Sequence, residues 1–483
     1  MTAGDHRIAV LIFAALFAIY AYFLPRWGDW NQGARFALTL ALVEQGTIRI
    51  DDYRKDAGNY VVCGGHVYAG EAPGGSFLAV PAYVIFRALA TTPPARALLQ
   101  GVGRSAAFGD ISHGAGADAL EGPIYLAAAL YAASLLTVAM PSAFLGALLF
   151  LFLQRILPSV PARAVLALAY GLGTIAFPYS TMLYGHQVAA ASIFSAFVLL
   201  DGVRHGARSA RWLWLAGALG GLAVLTEPPT LALLALLCIY ALSSLPPRRD
   251  VTKLVAGALP FLLLLGWYNT TAFGSPFDDG CRLGSGLSTT VRDALLGIRA
   301  PSVQALRGLT FSPYRGVFFL SPFLLLALPG WWYALSDRHP FRPEAILSLA
   351  LVVTQLIVAA SSRDWSGGSA IGARYMLSVV PFIVLPVAVC IDTWRRRPWL
   401  RLASWGLVLA SCALVWTAST AGQELAPITI ANPLRDFFWP KLRTGDVARN
   451  IGMVVGLHGR WSLLPLAAVG VLMMWLAYED SRQ

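Results

Sequence analysis

The residues of this chain best placed to do chemistry lie just past its first apolar run, Ile8 to Leu24. There the sequence reads Arg26-Trp27-Gly28-Asp29-Trp30-Asn31-Gln32-Gly33-Ala34-Arg35, and acids, bases and glycines continue to Gly75. A carboxylate within hydrogen-bond reach can take the proton of an attacking hydroxyl, and a guanidinium can hold an anion through its planar fork. A chain that only had to cross a bilayer would turn back sooner. Acids and arginines held beside a membrane suit an enzyme whose substrate lies in that membrane. Asp29 is the first candidate base, although it would equally serve as the N-cap of a following helix. Asp51 and Asp52 come next, with a plain surface turn as the alternative, and Asp56 is third. Arg374 is the best anion candidate, because Trp365-Ser366-Gly367-Gly368 precedes it and glycines let backbone N–H groups approach an anion. Arg315 and Arg282 follow, against the alternative of snorkelling at span ends. His186, beside Tyr184, could bind an anion or simply pack. Glu227 is an acid near membrane depth, but Pro228-Pro229 predicts a turn that puts it at the surface.

These residues must be positioned by a membrane bundle. Of the 483 residues, 57% are hydrophobic and only 13% are charged, where soluble domains carry about a quarter; mean hydropathy is +0.62. The net charge of +11 does not indicate nucleic acid, because the arginines are scattered between apolar runs. About twelve stretches are apolar enough to be candidate spans: Ile8–Leu24, Ile124–Leu153, Ala164–Ser180, Val188–Leu200, Trp212–Leu225, Leu231–Leu245, Leu254–Tyr268, Val317–Leu335, Ala345–Ala360, Met376–Ile391, Leu402–Thr420 and Leu463–Tyr478. The first reads as a retained signal anchor.

Short turns rich in arginine, such as Arg395-Arg396-Arg397 to Arg401, alternate with long loops at Pro25–Pro123, Asn269–Gly316, Ser361–Tyr375 and Ala421–Trp461. The positive-inside rule puts the arginine turns and both termini in the cytoplasm. Phe77–Ala90 reads as a juxtamembrane helix, which keeps Ile124–Leu153 whole across Pro141. Gln32–Gln45 reads as a surface helix, with Phe36, Leu40 and Val43 on one face and Gly46 as its stop. Cys238, Cys390 and Cys412 sit in apolar runs. Cys63 and Cys281 fall in two polar loops, where they would pair if that side is oxidising and otherwise remain separate thiols.

Several motifs in order resemble the GT-C membrane glycosyltransferases, in particular the bacterial branch related to protein O-mannosyltransferases and aminoarabinose lipid A transferases (glycosyltransferase family 39-like). They are the first loop with Gly65-His66-Val67-Tyr68-Ala69-Gly70-Glu71-Ala72-Pro73-Gly74; Leu172-Gly173-Thr174-Ile175-Ala176-Phe177-Pro178-Tyr179-Ser180 with Tyr184-Gly185-His186; Tyr268-Asn269 with Phe273-Gly274-Ser275-Pro276; Tyr314-Arg315-Gly316; and Gly372-Ala373-Arg374-Tyr375. The resemblance runs to about Pro386. It implies an all-α polytopic fold with a small mixed outward-facing domain, divided as a catalytic module over 1–420 and an outer loop plus last helix over 421–483. It implies an inverting transfer of a sugar from a polyprenyl-phosphate donor to a hydroxyl of a glycan, lipid or protein, on the outer side of a bacterial inner membrane. Asp29, Asp51 or Asp52 would be the base and Arg374, Arg315 and Arg282 the phosphate ligands. Asn31, Arg35, His186, Glu71 and Glu227 would bind substrate. Some relatives use a divalent cation and others none, and the scattered acids here make no clear ligand set. Relatives often carry Lys where this chain has Glu71, and a glutamate cannot pair with a phosphate. A transporter of lipid-linked sugars, or a scaffold without activity, is the competing reading. Charge-poor span centres and the lack of a visible internal repeat count against the transporter.

Overall fold

The computed structural model describes residues 3–26, 29–108, 117–245, 248–277, 282–283, 300–468, 470–472 and 475. They form a mostly helical bundle. Seven helices are long and apolar enough to cross a bilayer: Ala3–Tyr22, Gly122–Leu153, Gly185–Arg204, Arg248–Phe273, Arg342–Ser361, Arg374–Trp394 and Pro398–Thr420. An eighth results if Gly74–Ala90 and Pro93–Gly103, which meet at 99°, count as one span. Shorter apolar helices occupy Val160–Leu172, Trp212–Thr226, Pro228–Ser244 and Gly459–Leu472. The expected count of about twelve spans therefore goes beyond the helices that meet the length criterion. Val317–Leu335 is not one helix: Val317–Leu320, Pro322–Leu326 and Ala327–Ala334 are separate pieces. Ser321 leaves helical geometry and Pro322 has no N–H to continue the ladder. By contrast, Gly122–Leu153 runs unbroken past Pro141, through a π-helical turn at Leu135–Ala139.

The helix expected after the first span over Gln32–Gln45 is Trp30–Glu44, but residues 34–41 are buried on every face, so it is packed into the structure rather than lying on a surface. Phe36 and Leu40 bury its apolar face, and the Phe36 ring meets Tyr83 edge-on at 5.8 Å. Tyr83 lies on Gly74–Ala90, the helix read as juxtamembrane. The two helices run side by side from neighbouring starts: Thr39 Oγ1 donates to the Ser76 carbonyl at 3.2 Å, and Tyr83 donates to Glu44 farther along. Between them in sequence, β1 (Tyr60–Cys63) and β2 (His66–Ala69) form a hairpin. Gly64 and Gly65 both adopt positive φ in its two-residue turn, which other residues avoid. β3 (Arg282–Leu283) adds to the far edge of β1, giving the antiparallel order β2-β1-β3. Tyr68 of this sheet packs on Phe273 at 6.0 Å. Cys63, at the end of β1, is disulfide-bonded, while Cys238, Cys390 and Cys412 are free; Cys281 lies outside the described residues.

After Thr420 the chain returns to the first helix. Phe23 bridges Asn450 and Ala421 bridges Val447, and Arg26 Nη2 donates to the carbonyls of Ala418, Ser419 and Ala421 at 2.9–3.4 Å. The arginine turns gather at the opposite end of the bundle. There Arg163 pairs with Asp5 at 2.8 Å, Arg155 pairs with Asp201, and Arg204 pairs with Glu344 and donates to Tyr240. Buried carboxylates tolerate such a position only when paired.

Candidate active site

Five separated segments bring their polar side chains to one place. Trp30–Glu44 supplies the first part through its start. Asp29 caps it, with Oδ1 accepting from the backbone N–H groups of Asn31 (2.9 Å) and Gln32 (3.2 Å). Tyr184 then donates its hydroxyl to the same carboxylate, 2.8 Å from Oδ2 and 3.0 Å from Oδ1. Among the described residues Tyr184 is the one donor to Oδ2. The two readings of Asp29, cap and base, are thus compatible in one residue. Burial pushes the Asp29 carboxyl above the ordinary carboxylate range; Tyr184, the Gln32 and Asn31 N–H groups and the Arg374 charge pull it back only in part.

Arg35, one turn along, is among the most buried charged residues of the chain. Its Nη2 reaches Glu71 Oε2 at 3.1 Å and Glu227 Oε1 at 3.2 Å. Its Nε donates to Asn31 Oδ1 at 3.0 Å and its Nη1 to the Ala72 carbonyl at 3.1 Å. Glu71 also accepts from Asn31 and, at 2.8 Å, from Asn59. Both oxygens of Glu71 are therefore committed to orienting neighbours. Glu227 is not at the surface, contrary to expectation from Pro228-Pro229. It ends Trp212–Thr226, and the turn aims it inward at Arg35 and His186. Burial opposes its charge, but the charge and hydrogen bond of His186 and the charges of Arg35 and Arg374 outweigh it. The Glu227 carboxyl consequently falls below the ordinary range.

His186 Nδ1 lies 3.1 Å from Glu227 Oε2. An ionised carboxylate can only accept, so Nδ1 carries a proton. Nε2, on the other side of the ring, is buried without a hydrogen-bond partner among the described residues. Glycine makes this junction possible. A Cβ at Gly185 would sit 2.5 Å from Glu227 Oε1 and 2.7 Å from the Thr226 carbonyl, and one at Gly74 would meet the Leu225 backbone at 2.7 Å. Gly185→Ala should therefore push the Gly185–Arg204 helix off Glu227 and remove most activity, checked by turnover and by retention of the folded fraction on size-exclusion chromatography.

Arg374 starts the Arg374–Trp394 helix. Its guanidinium stacks on the rings of Tyr184 (5.6 Å) and Tyr375 (5.1 Å), and both rings also touch His186, each at 5.8 Å. Its Nη2 contacts the Tyr375 hydroxyl at 3.3 Å, while its Nε is buried without a partner among the described residues. Gly367, at φ +72°, leaves the space this side chain fills. Arg315 is spent otherwise. Its guanidinium donates to the carbonyls of Ser366 (3.0 Å), Gly368 (2.6 Å) and Ala370 (2.7 Å) and stacks on Tyr314 at 4.2 Å. It holds the glycine loop that shapes the seat of Arg374. Tyr179 does the same from the other side by accepting from the Ile371 N–H at 3.2 Å.

The remaining candidates lie elsewhere. Asp51 accepts from the Val67 N–H at 2.7 Å and faces His66 at 3.0 Å on the hairpin; Asp52 accepts from Gln45 at 2.8 Å on the surface. The segment before them, residues 46–50, forms no helix or strand. Arg282 belongs to β3, and its side chain, like that of Asp56, lies outside the described residues. Sequence reasoning missed Tyr184 as the partner of Asp29, missed Asn59 altogether, and placed Tyr375 in a motif without giving it a role. Only the Tyr-Gly-His motif flagged the neighbourhood of the first. No trio of metal-ligating side chains forms here among the described residues. Asp201, His205 and Glu344 do converge at the other end of the bundle, but Arg155 and Arg204 already balance those carboxylates.

Together these features describe a mostly helical bundle with seven helices long and apolar enough to cross a membrane, in which acids and buried arginines meet where several helices begin. Among solved structures it matches ArnT from Cupriavidus metallidurans bound to undecaprenyl phosphate, at a TM-score of 0.51 and 15% identity over 99% of this chain and 74% of that one. The apo form of the same protein aligns at 0.47 and 16% identity, over 98% of this chain and 74% of that one. No protein-family model and no curated protein matches the sequence.

Proposed function

We propose that the protein transfers a sugar from a polyprenyl-phosphate donor to an acceptor hydroxyl at the outward end of the bundle. The observation that carries this reading is the pair of buried, unpartnered nitrogens, Arg374 Nε and His186 Nε2, packed on the tyrosine that holds Asp29. This arrangement supports a reading in which an anion and a base lie side by side. Asp29 Oδ2 takes the acceptor proton as the hydroxyl oxygen attacks the anomeric carbon. The bond from that carbon to the phosphate oxygen breaks, and the phosphate leaves with the electron pair. Arg374 stabilises its growing charge. Attack from the side opposite the phosphate inverts the anomeric centre. Arg35, Glu71 and Glu227 fix the positions of Asn31 and His186.

The test compares lipid-linked sugars and envelope glycans by mass spectrometry in a strain lacking the gene and in complemented strains. A transferase gives accumulated lipid-linked sugar and one lost decoration, restored by the parent gene and not by Asp29→Asn. Restoration by Asp29→Asn would remove Asp29 as the base, restoration by Asp51→Asn and Asp52→Asn as well would favour a transporter, and an unchanged profile in the deletion strain would defeat both readings. Arg374→Gln should weaken binding of undecaprenyl phosphate to the purified protein at least tenfold. Equal binding would remove Arg374 from the phosphate site.

Tyr184→Phe offers a third check. The Tyr184 hydroxyl lowers the carboxyl of Asp29, so its loss raises it further. A base works when ionised. The low-pH limb of kcat/KM should therefore move to higher pH, with the plateau largely kept. A limb that stays in place would mean Asp29 is not the titrating base.

A further inference from the structure

At the end of the bundle away from the candidate active site, a groove of about 570 Å³ opens between Val160–Leu172, Arg374–Trp394 and Pro398–Thr420. The helix that starts with Arg374 is 21 residues long and ends at this groove. At 1.5 Å per residue that is roughly 31 Å, the thickness of a bilayer core. The groove therefore lies at the other membrane surface from the catalytic groups.

Its walls and rim differ in kind. Val165 and Leu409 line it and are both exposed, at 39% and 70%, as lipid-facing residues are. Arg395 and Arg401 stand at the rim with Trp405, a residue type that favours the interfacial zone. One acid opposes them: Asp392 lies 3.3 Å from Arg395, on an accessible pair of modest strength. Arg401 has no carboxylate partner among the described residues. A cationic rim above an apolar trough at a membrane surface matches a molecule with a phosphate head and hydrocarbon chains.

We propose that this groove holds one anionic phospholipid, with its phosphate between Arg395 and Arg401 and an acyl chain along Val165 and Leu409. The inference does not depend on the reaction proposed above. It rests on the groove, the unbalanced arginine and the exposed apolar wall. A zwitterionic phospholipid lacks the net charge to match the rim, and a free phosphate ester lacks the chain to match the wall.

Native mass spectrometry of the full-length purified protein tests it, with dioleoylphosphatidylglycerol, dioleoylphosphatidylcholine and glycerol 3-phosphate as probes. Phosphatidylglycerol should be retained as a single adduct at least tenfold more than phosphatidylcholine, and glycerol 3-phosphate should not be retained. The double variant Arg395→Gln with Arg401→Gln should fall to the phosphatidylcholine level, while Arg396→Gln, on the exposed turn outside the groove, should bind as the parent does. Equal retention of the two lipids overturns the proposal, as does phosphatidylglycerol binding that survives the double variant. Retention of glycerol 3-phosphate to the same degree would make this a site for free anions and also overturn it. If the double variant does not fold, the comparison of lipids on the parent protein decides.

Discussion

Asp29→Asn is expected to lower kcat by a factor of about 10² to 10⁴, the range that general base catalysis supplies, with KM for the donor little changed. The substitution is nearly isosteric. Asparagine keeps a carbonyl oxygen to accept from the Asn31 and Gln32 N–H groups and from Tyr184, so the cap survives and the protein should be produced at the parental level. What disappears is the lone pair on Oδ2 that can receive a proton. Asp29→Ala provides the contrast, because it removes the cap as well and should also cost about 1 kcal/mol of stability. The outcome that would sink the assignment is full turnover in Asp29→Asn with loss at Asp51→Asn instead. Asp51 lies on the hairpin, bound to Val67 and His66, and none of its described contacts reaches Arg374 or His186.

The second large effect is on stability. Arg35 is 1% exposed and stands between Glu71 and Glu227, both mostly buried. Arg35→Ala leaves two carboxylates facing each other with their shared guanidinium gone. Breaking a buried pair in this way costs about 3–5 kcal/mol, because the partner is stranded without solvent. A substantial drop in the midpoint of thermal or denaturant unfolding should follow. Lysine should rescue only part of it, since one ammonium cannot serve Asn31, the Ala72 carbonyl and both acids at once. The triple change Arg35→Met, Glu71→Gln and Glu227→Gln should recover much of the stability and none of the activity. An Arg35→Ala protein that unfolds like the parent would show that the pairs contribute nothing net.

Much of this scaffold is legible in the order of residues alone. The apolar runs locate the helices, and Phe36, Leu40 and Val43 at helical spacing locate the helix after the first span, because an apolar face leaves a periodic trace. Gly367 and Gly368 ahead of Arg374 both adopt positive φ, but their N–H groups donate to the carbonyl and carboxylate of Asp364, a use that the glycines alone do not indicate. The pairing of charges is not legible. Nothing near Glu227 indicates that it meets Arg35, 192 residues earlier, so the local Pro-Pro turn wrongly suggests a surface acid. Arg315 and Arg374 look alike in sequence. The difference between a clamp on carbonyls and a cation with a spare donor arises from where the Ser366–Ala370 loop folds back.

The scatter of this site along the chain also sets the order in which it can come into being. Synthesis delivers Asp29, Arg35 and Glu71 first, then Tyr184 and His186, then Glu227, and Arg374 only in the last quarter. Every nascent chain shorter than that carries the acids without the cation proposed to attract the donor. Under the proposed reading, donor binding therefore waits for a nearly complete chain.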